Sequence, residues 1–406
     1  MKLDKVINIE DLHRMAKRRL PRIVFDFIEG GVEDEHGLVH NETAFRRYHM
    51  VPRFLVDVCK CDQSITLFGR TYASPFGIAP TGLNGLFRRG CDLMLAEASA
   101  AANIPYIMSS VANSSLEAAA KLNPNMWFQL YGANDRAVMH DMVRRARDAG
   151  IDTLVITVDV PMLHKRERNM RNGFGRPMKM TPAIMLEALT HPGWMLEYYK
   201  NGGAPMFANW EPYSPPGSSI DVVADHYGTQ TPSANQTWRD FEMLRGLWPG
   251  KIMLKGILHP DDAVRSVDLG ADAIYVSNHG ARQLDRAVSP IEMLPKIRAA
   301  VGDKIPLVMD SGVRRGSDVL IARCFGAEVA FVGRATLYGA VAAGLPGAMK
   351  AIDILKNEID LTLGMLGCAG LADVGPHILF DNAKGDFVAG APKASAEIRE
   401  FPKITA

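Results

Sequence analysis

Eight short apolar runs recur between residues 75 and 334, and each ends at a polar or glycine-containing stretch. They are PFGIAP (75–80), IPYIMSS (104–110), MWFQLY (126–131), TLVITVD (153–159), KIMLKG (251–256), AIYVSN (273–278), PLVMD (306–310) and VAFVGR (329–334). Each is too short for a typical helix and apolar throughout rather than alternating, the pattern of a strand buried on both faces. The segments between them read as helices: LMLAEASAAAN, SLEAAAKL, RAVMHDMVRRARDAG, PDDAVRSVDLG, SPIEMLPKIRAAVG and GSDVLIARCFG. Several open at Ser, Asp or Pro and close at Gly, as capped helices do. Eight such repeats predict an α/β fold, a (β/α)8 TIM barrel whose strand ends converge on one mouth. The competing architecture is an open doubly wound sheet, and no G-x-G-x-x-G follows the first run to favour it.

The repeat spacing breaks once. Strand four ends near Asp159 and strand five begins near Lys251, far more chain than one helix needs. Residues 171–238 are therefore expected to form an insertion at the mouth. This stretch carries nine charged residues in 68 and three of the five tryptophans, Trp194, Trp210 and Trp238. Its composition suits a membrane interface, and equally a folded lid or an oligomer contact. The whole chain then reads as one domain of 406 residues. Residues 1–72 form a helical preamble, 73–350 the barrel, and 351–406 a final helix and tail.

Charge and cysteine usage narrow the partners. Forty-six basic residues against 45 acidic ones leave a formal charge of +1, which gives no global reason to expect nucleic acid. No apolar run is long enough to span a membrane, and the first twenty residues lack the apolar core of a secretion signal. The expected location is cytoplasmic. Five scattered cysteines make no disulfide scaffold, and the lone pair Cys59-x-Cys61 has no second pair to complete a metal site.

In barrel enzymes the chemistry sits where the strands end. Those ends carry Pro80, Thr81 and Gly82; Ser109; Gln129 and Tyr131; Thr157 and Asp159; Lys255; Ser277, His279 and Arg282; Asp310, Ser311, Gly312, Val313 and Arg314; Gly333 and Arg334. Glycines and helix N-termini after strands seven and eight form the usual phosphate site of this fold, and Arg314 and Arg334 would add charge-assisted bonds there. His279 is the residue able to exchange a proton near neutral pH. Arg282 beside it suits an anionic substrate, Asp159 could orient the imidazole, and Arg166 offers a second carboxylate clamp.

The motifs KRRLPRIVFDFIEGGVEDE (17–35), APTGLNG (79–85), WFQLY (127–131), TVDVP (157–161), LKG (254–256), SNHGARQLD (277–285), DSGVRRGSD (310–318) and GRATLYG (333–339) occur in one order and spacing. In this the chain resembles the FMN-dependent 2-hydroxy-acid dehydrogenases and oxidases, a family that includes mandelate dehydrogenase and the bacterial membrane-associated L-lactate dehydrogenases. The resemblance implies that FMN is bound by Pro80, Thr81, Gly82, Ser109, Gln129, Thr157, Lys255, Ser277, Asp310 to Arg314, Gly333 and Arg334. It implies His279 as catalytic base supported by Asp159, Arg166 and Arg282 on the substrate carboxylate, and Tyr131 hydrogen-bonding the substrate. It further implies a small 2-hydroxy acid as substrate, a quinone-type acceptor, with oxygen as the alternative, and a homotetramer. The long insertion with THPGW (190–194) looks most like the membrane-associated members, implying peripheral contact with the inner face of the membrane. One position departs from the pattern: Phe27 stands where the family usually has a tyrosine that helps hold the carboxylate. That opens a further alternative, an unusual larger substrate.

Overall fold

The computed structural model describes residues 2–175 and 181–389. Its centre is a ring of eight parallel strands: β1 (Phe76–Ile78), β2 (Ile107–Ser109), β3 (Trp127–Tyr131), β4 (Thr153–Thr157), β5 (Lys251–Ile257), β6 (Ala273–Val276), β7 (Leu307–Met309) and β8 (Ala327–Val332). Neighbours in sequence are neighbours in space, and β8 pairs with β1. A parallel bridge from Ile78 to Tyr106 joins β1 to the approach of β2 and closes the ring, which excludes the open sheet. The fold is a (β/α)8 barrel.

Side chains alternate across each strand, so the apolar runs serve two cores. Inside the ring, Ile107, Trp127, Val155, Met253, Tyr275, Val308, Val329 and Phe331 form one buried cluster. Outside it, Ile78, Met108, Phe128, Leu154, Leu254 and Ile274 pack with the helices in another.

The preamble is not helical throughout. Helices Ile9–Arg19, Arg22–Glu29 and His36–Thr43 are followed by a short strand, Tyr48–Met50, paired with Leu379–Asp381 near the other end of the chain. A hairpin, Ile65–Leu67 with Arg70–Tyr72, comes next. Its Leu67 and Tyr72 enter the interior cluster, and Phe68 lies against Trp127, the first residue of β3. The hairpin thus covers the end of the barrel opposite the mouth.

The stretch between β4 and β5 folds into helices Glu167–Arg171, Pro182–Leu189, Pro192–Lys200 and Ile220–Gln230. Helix Trp238–Leu247 then returns to the barrel, so Trp238 opens a barrel helix rather than closing the insertion. The tryptophans are not the exposed part of this segment. Trp210 is fully buried, and Trp194 is buried with its indole donating to the Leu86 carbonyl at 2.8 Å. Trp238 stacks under the Arg265 guanidinium. The exposed apolar surface is made instead by Met162, Leu163, Met185, Leu186, Leu189 and Leu196. Low charge in this segment therefore has two origins, an inward tryptophan core and an outward aliphatic surface. Helix Leu345–Leu366 runs across the boundary expected at residue 350. Residues 176–180 of the insertion and 390–406 of the tail lie outside the described residues.

Candidate active site

All the candidate residues from the strand ends gather at the mouth. Pro80 to Gly82 follow β1, Ser109 ends β2, Gln129 and Tyr131 lie on β3, and Thr157 ends β4 with Asp159 two residues on. Lys255 is on β5, Ser277 and His279 follow β6, Asp310 to Arg314 follow β7, and Gly333 precedes the helix that opens at Arg334. Two come from elsewhere: Phe27 from helix Arg22–Glu29, and Arg166 from the start of helix Glu167–Arg171.

His279 Nδ1 lies 2.8 Å from Asp159 Oδ1. A carboxylate only accepts, so the proton sits on Nδ1 and Nε2 carries the lone pair. Burial lowers the imidazole's affinity for protons and the Lys255 charge adds to that, while Asp159 pulls the other way; the net direction is down from 6.5. Burial works against the Asp159 charge, but His279 and Lys255 outweigh it and keep this group a carboxylate. The pair is a neutral base with an anion behind it. Tyr131 Oη stands 3.4 Å from Nε2. Gly256 makes room for this arrangement, since a Cβ there would sit 2.5 Å from that of Asp159.

Lys255 is buried at the floor of the mouth. Its Nζ donates to Ser277 Oγ at 2.9 Å and lies 3.3 Å from Asp310 Oδ2 and 3.9 Å from Asp159 Oδ2. Ser277 and Ser311 both donate to Asp310 Oδ1, at 2.6 and 2.8 Å.

Above this floor the charge is positive. Burial depresses the Arg282 guanidinium well below its usual range, and the like charges of Arg166 and Arg334 deepen the effect. Three guanidinium groups held this close favour anions strongly. Arg282 Nη1 donates to the carbonyls of Phe27 and Gly30 at 2.9 and 2.7 Å, and Arg334 Nε to that of Ile28 at 3.0 Å. The C-terminal end of helix Arg22–Glu29, its negative pole, thus anchors both arginines. Arg314 pairs with Glu42 at 3.0 Å, and its charge also reaches Arg334 and Tyr338.

Phe27 has no hydroxyl to give these cations. Its ring centre lies 5.1 Å from Arg282 Cζ and 5.8 Å from Arg166 Cζ, and it stacks on Phe174 at 4.6 Å, with Phe87 6.2 Å away. The arginine pair therefore has an aromatic wall. Phe174 belongs to the insertion and was not among the expected residues.

Several residues that organise the mouth were also not anticipated. Asp92 is fully buried and accepts from Asn84 Nδ2 and from the backbone of Asn113 and Ser114, joining the loops after β1 and β2. Glu29 accepts from Tyr338 at 2.7 Å and faces His13 at 3.3 Å. Asn41 and Asn278 are buried against each other. Asn278 lies inside SNHGARQLD, so its motif was the available signal; Asn41 and Asp92 are single polar residues in helices and gave none.

The mouth also fits a flavin. Gln129 Oε1 accepts from Ser109 Oγ at 2.8 Å, leaving Gln129 Nε2 buried with no hydrogen-bond partner among the described residues. Such an orphaned donor is costly without an acceptor, and a flavin ring edge supplies acceptors. Lys255 is a buried cation on the same floor.

The sequence profile of FMN-dependent dehydrogenases matches residues 16–381. The chain belongs to the FMN-dependent dehydrogenase family. Among members of this family, (S)-mandelate dehydrogenase of Pseudomonas putida is 39% identical over 375 residues, covering 92% of this chain and 94% of that protein. A putative L-lactate dehydrogenase of Mycobacterium tuberculosis is 37% identical over 380 residues, 93% and 89% of the two chains. The crystal structure of (S)-mandelate dehydrogenase, described as a monotopic membrane protein, superposes with a TM-score of 0.89 at 39% identity, covering 93% of this chain and 100% of that one. As a family member the chain is an FMN-dependent oxidoreductase acting on the CH–OH group of 2-hydroxy acids. Among the described residues no helix is long and apolar enough to cross a membrane.

Proposed function

We propose that this enzyme oxidises an (S)-2-hydroxy acid to the 2-keto acid with His279 as the base, and that its electrons pass to a membrane quinone. The observation that carries the reading is the His279 Nε2 lone pair, fixed by Asp159 and enclosed with Tyr131 beneath two guanidinium groups. Arg166 and Arg282 hold the substrate carboxylate. Nε2 takes a proton from the reacting carbinol, and Asp159 stabilises the imidazolium that results. Tyr131 Oη positions the substrate hydroxyl. Bound FMN supplies the two-electron acceptor. It would be held by Pro80, Thr81, Gly82, Ser109, Gln129, Thr157, Lys255, Ser277, Asp310 to Arg314, Gly333 and Arg334.

The wall of Phe27, Phe174 and Phe87 supports a substrate with an apolar side chain rather than a second polar group. The exposed aliphatic surface of the insertion supports peripheral membrane contact, and a membrane is where a quinone would be met. The test is anaerobic addition of (S)-lactate and (S)-mandelate to FMN-loaded protein, followed by flavin absorbance. Bleaching by one or both is expected, and a fully loaded sample that no hydroxy acid bleaches would sink the reading. Reoxidation by a soluble quinone analogue, compared with peroxide formed in air, separates a quinone acceptor from oxygen.

A further inference from the structure

Three consecutive residues after β6, His279, Gly280 and Ala281, have left-handed backbone at φ 57°, 63° and 59°. Two of them carry side chains that disfavour this conformation. Strain of this kind persists only where the surroundings over-determine it, and here each amide of the turn has a named holder. His279 N donates to Ser277 Oγ at 3.0 Å, and Gly280 N to Ser311 Oγ at 2.9 Å. Ala281 N donates to both the Asn278 carbonyl and Asn278 Oδ1, at 3.0 and 3.1 Å.

Ser277 and Ser311 belong to the strand ends, but the third holder is itself held from outside the barrel. Asn278 Oδ1 accepts from Asn41 Nδ2 at 2.9 Å, and Asn278 Nδ2 donates to Asn41 Oδ1 at 2.7 Å. Both residues are buried, at 2% and 4% exposure. The orientation of the pair is set at Asn278, whose Nδ2 also donates to the Val288 carbonyl at 3.3 Å and whose Oδ1 accepts from Ala281 N. Asn41 supplies the remaining donor and acceptor that hold the Asn278 side chain in that orientation, against the Ala281 amide of the His279 turn.

The same helix, His36–Thr43, is seated against the neighbouring loop. Gly312, at φ 87°, has no side chain, and a Cβ there would lie 2.1 Å from the Asn41 carbonyl oxygen. Gly37 N donates to Asp285 Oδ1 at 2.9 Å, beyond the turn. One element of the preamble thus touches the loops after β6 and β7 together.

We infer that Asn41 is a positioning residue for the catalytic base, acting through Asn278 to hold the left-handed His279 turn. The inference rests on His279 being the base. Asn41 itself touches none of the reacting groups. Its removal should let the turn relax and carry the imidazole away from its place. Displacements of about an ångström cost roughly a hundredfold in rate.

The experiment is stopped-flow flavin reduction by saturating substrate under anaerobic conditions, with Asn41→Ala, Asn41→Asp and His279→Ala beside the parent enzyme. Asn41→Ala should slow flavin reduction by about tenfold to a hundredfold. Substrate affinity, FMN content and melting temperature should stay near the parent's. Asn41→Asp keeps the size and the acceptor but loses the donor to Asn278, and should fall between. It also decides the matter if the alanine variant does not fold. Adding Asn278→Ala to Asn41→Ala should cost little more, since the two act as one unit. A folded, FMN-loaded Asn41→Asp or Asn41→Ala that reduces at the parent rate overturns the inference. So does a rate loss that only tracks loss of FMN or of melting temperature, which would mark a structural role. If His279→Ala reduces normally, it is the assignment of the base that fails instead.

Discussion

Asp159 presents one oxygen to His279 Nδ1 at 2.8 Å, while its other oxygen has no hydrogen-bond partner among the described residues and faces Lys255 Nζ at 3.9 Å. One carboxylate thus serves the His279 imidazole and answers the buried cation, so its charge matters as much as its shape.

Asp159→Asn keeps the shape and removes the charge. The amide can donate to Nδ1 and move the imidazole proton onto Nε2, where it blocks proton abstraction. Flavin reduction should fall by about a hundredfold to ten-thousandfold. In the parent enzyme the rate should drop with falling pH at a midpoint below 6.5, because burial and Lys255 favour neutral His279. Losing the Asp159 anion should carry that midpoint lower still. A pH series of single-turnover rates checks both.

Phe27→Tyr returns a hydroxyl between Arg166 and Arg282. A hydrogen bond to a charged group is worth roughly 1.5–3 kcal/mol, about tenfold to a hundredfold in kcat/KM. The gain should be larger for (S)-lactate, held almost wholly by its carboxylate, than for (S)-mandelate, whose ring can use the Phe27 and Phe174 wall. Steady-state kinetics on both acids measures the difference.

Glu29 and His13 should give stability a pH signature. Burial opposes the Glu29 charge, but hydrogen bonds from His13 and Tyr338 hold its carboxyl at about 2, against an ordinary 4.5. Its contribution is complete above pH 4.5 and fades as pH falls toward 2. The hydrogen bond to Glu29 raises His13 from 6.5, against burial, so its contribution is complete below 6.5 and fades as pH rises through the raised value. The pair should therefore stabilise most between about pH 4.5 and 6.5. Glu29→Gln should lose about 1–3 kcal/mol there and show a flatter profile. Denaturant titrations at several pH values test this.

Leu186 and Leu189, 69% and 60% exposed, lie on one helix of the insertion. Replacing both with Glu should weaken binding to anionic phospholipid vesicles by about tenfold or more. Reduction of a soluble dye should be unchanged, because both side chains are exposed and neither is among the residues assigned to the site. Vesicle co-sedimentation measured beside the dye assay separates docking from catalysis.

What the sequence discloses follows from periodicity. The eight strands were legible because a strand covered on both faces must be apolar, and Gln129, Lys255 and Asp310 then stood out as polar groups with no reason to be there except the mouth. The tryptophans of the insertion misled because composition records that a side chain is apolar, not which way it faces; Trp194 and Trp210 turn inward. Asn41 was invisible for a different reason. A lone asparagine in a helix gains its meaning from Asn278, which lies 237 residues away in the chain.

The hairpin of Leu67 and Tyr72 has a consequence for traffic. With its side chains packed into the barrel interior against Trp127 and Phe331, the far end offers no way through. Hydroxy acid and keto acid then pass through the mouth. As proposed, the exposed aliphatic side chains of the insertion would bring a lipid surface to the enzyme. Entry from water and entry from the membrane would then be two approaches to one opening.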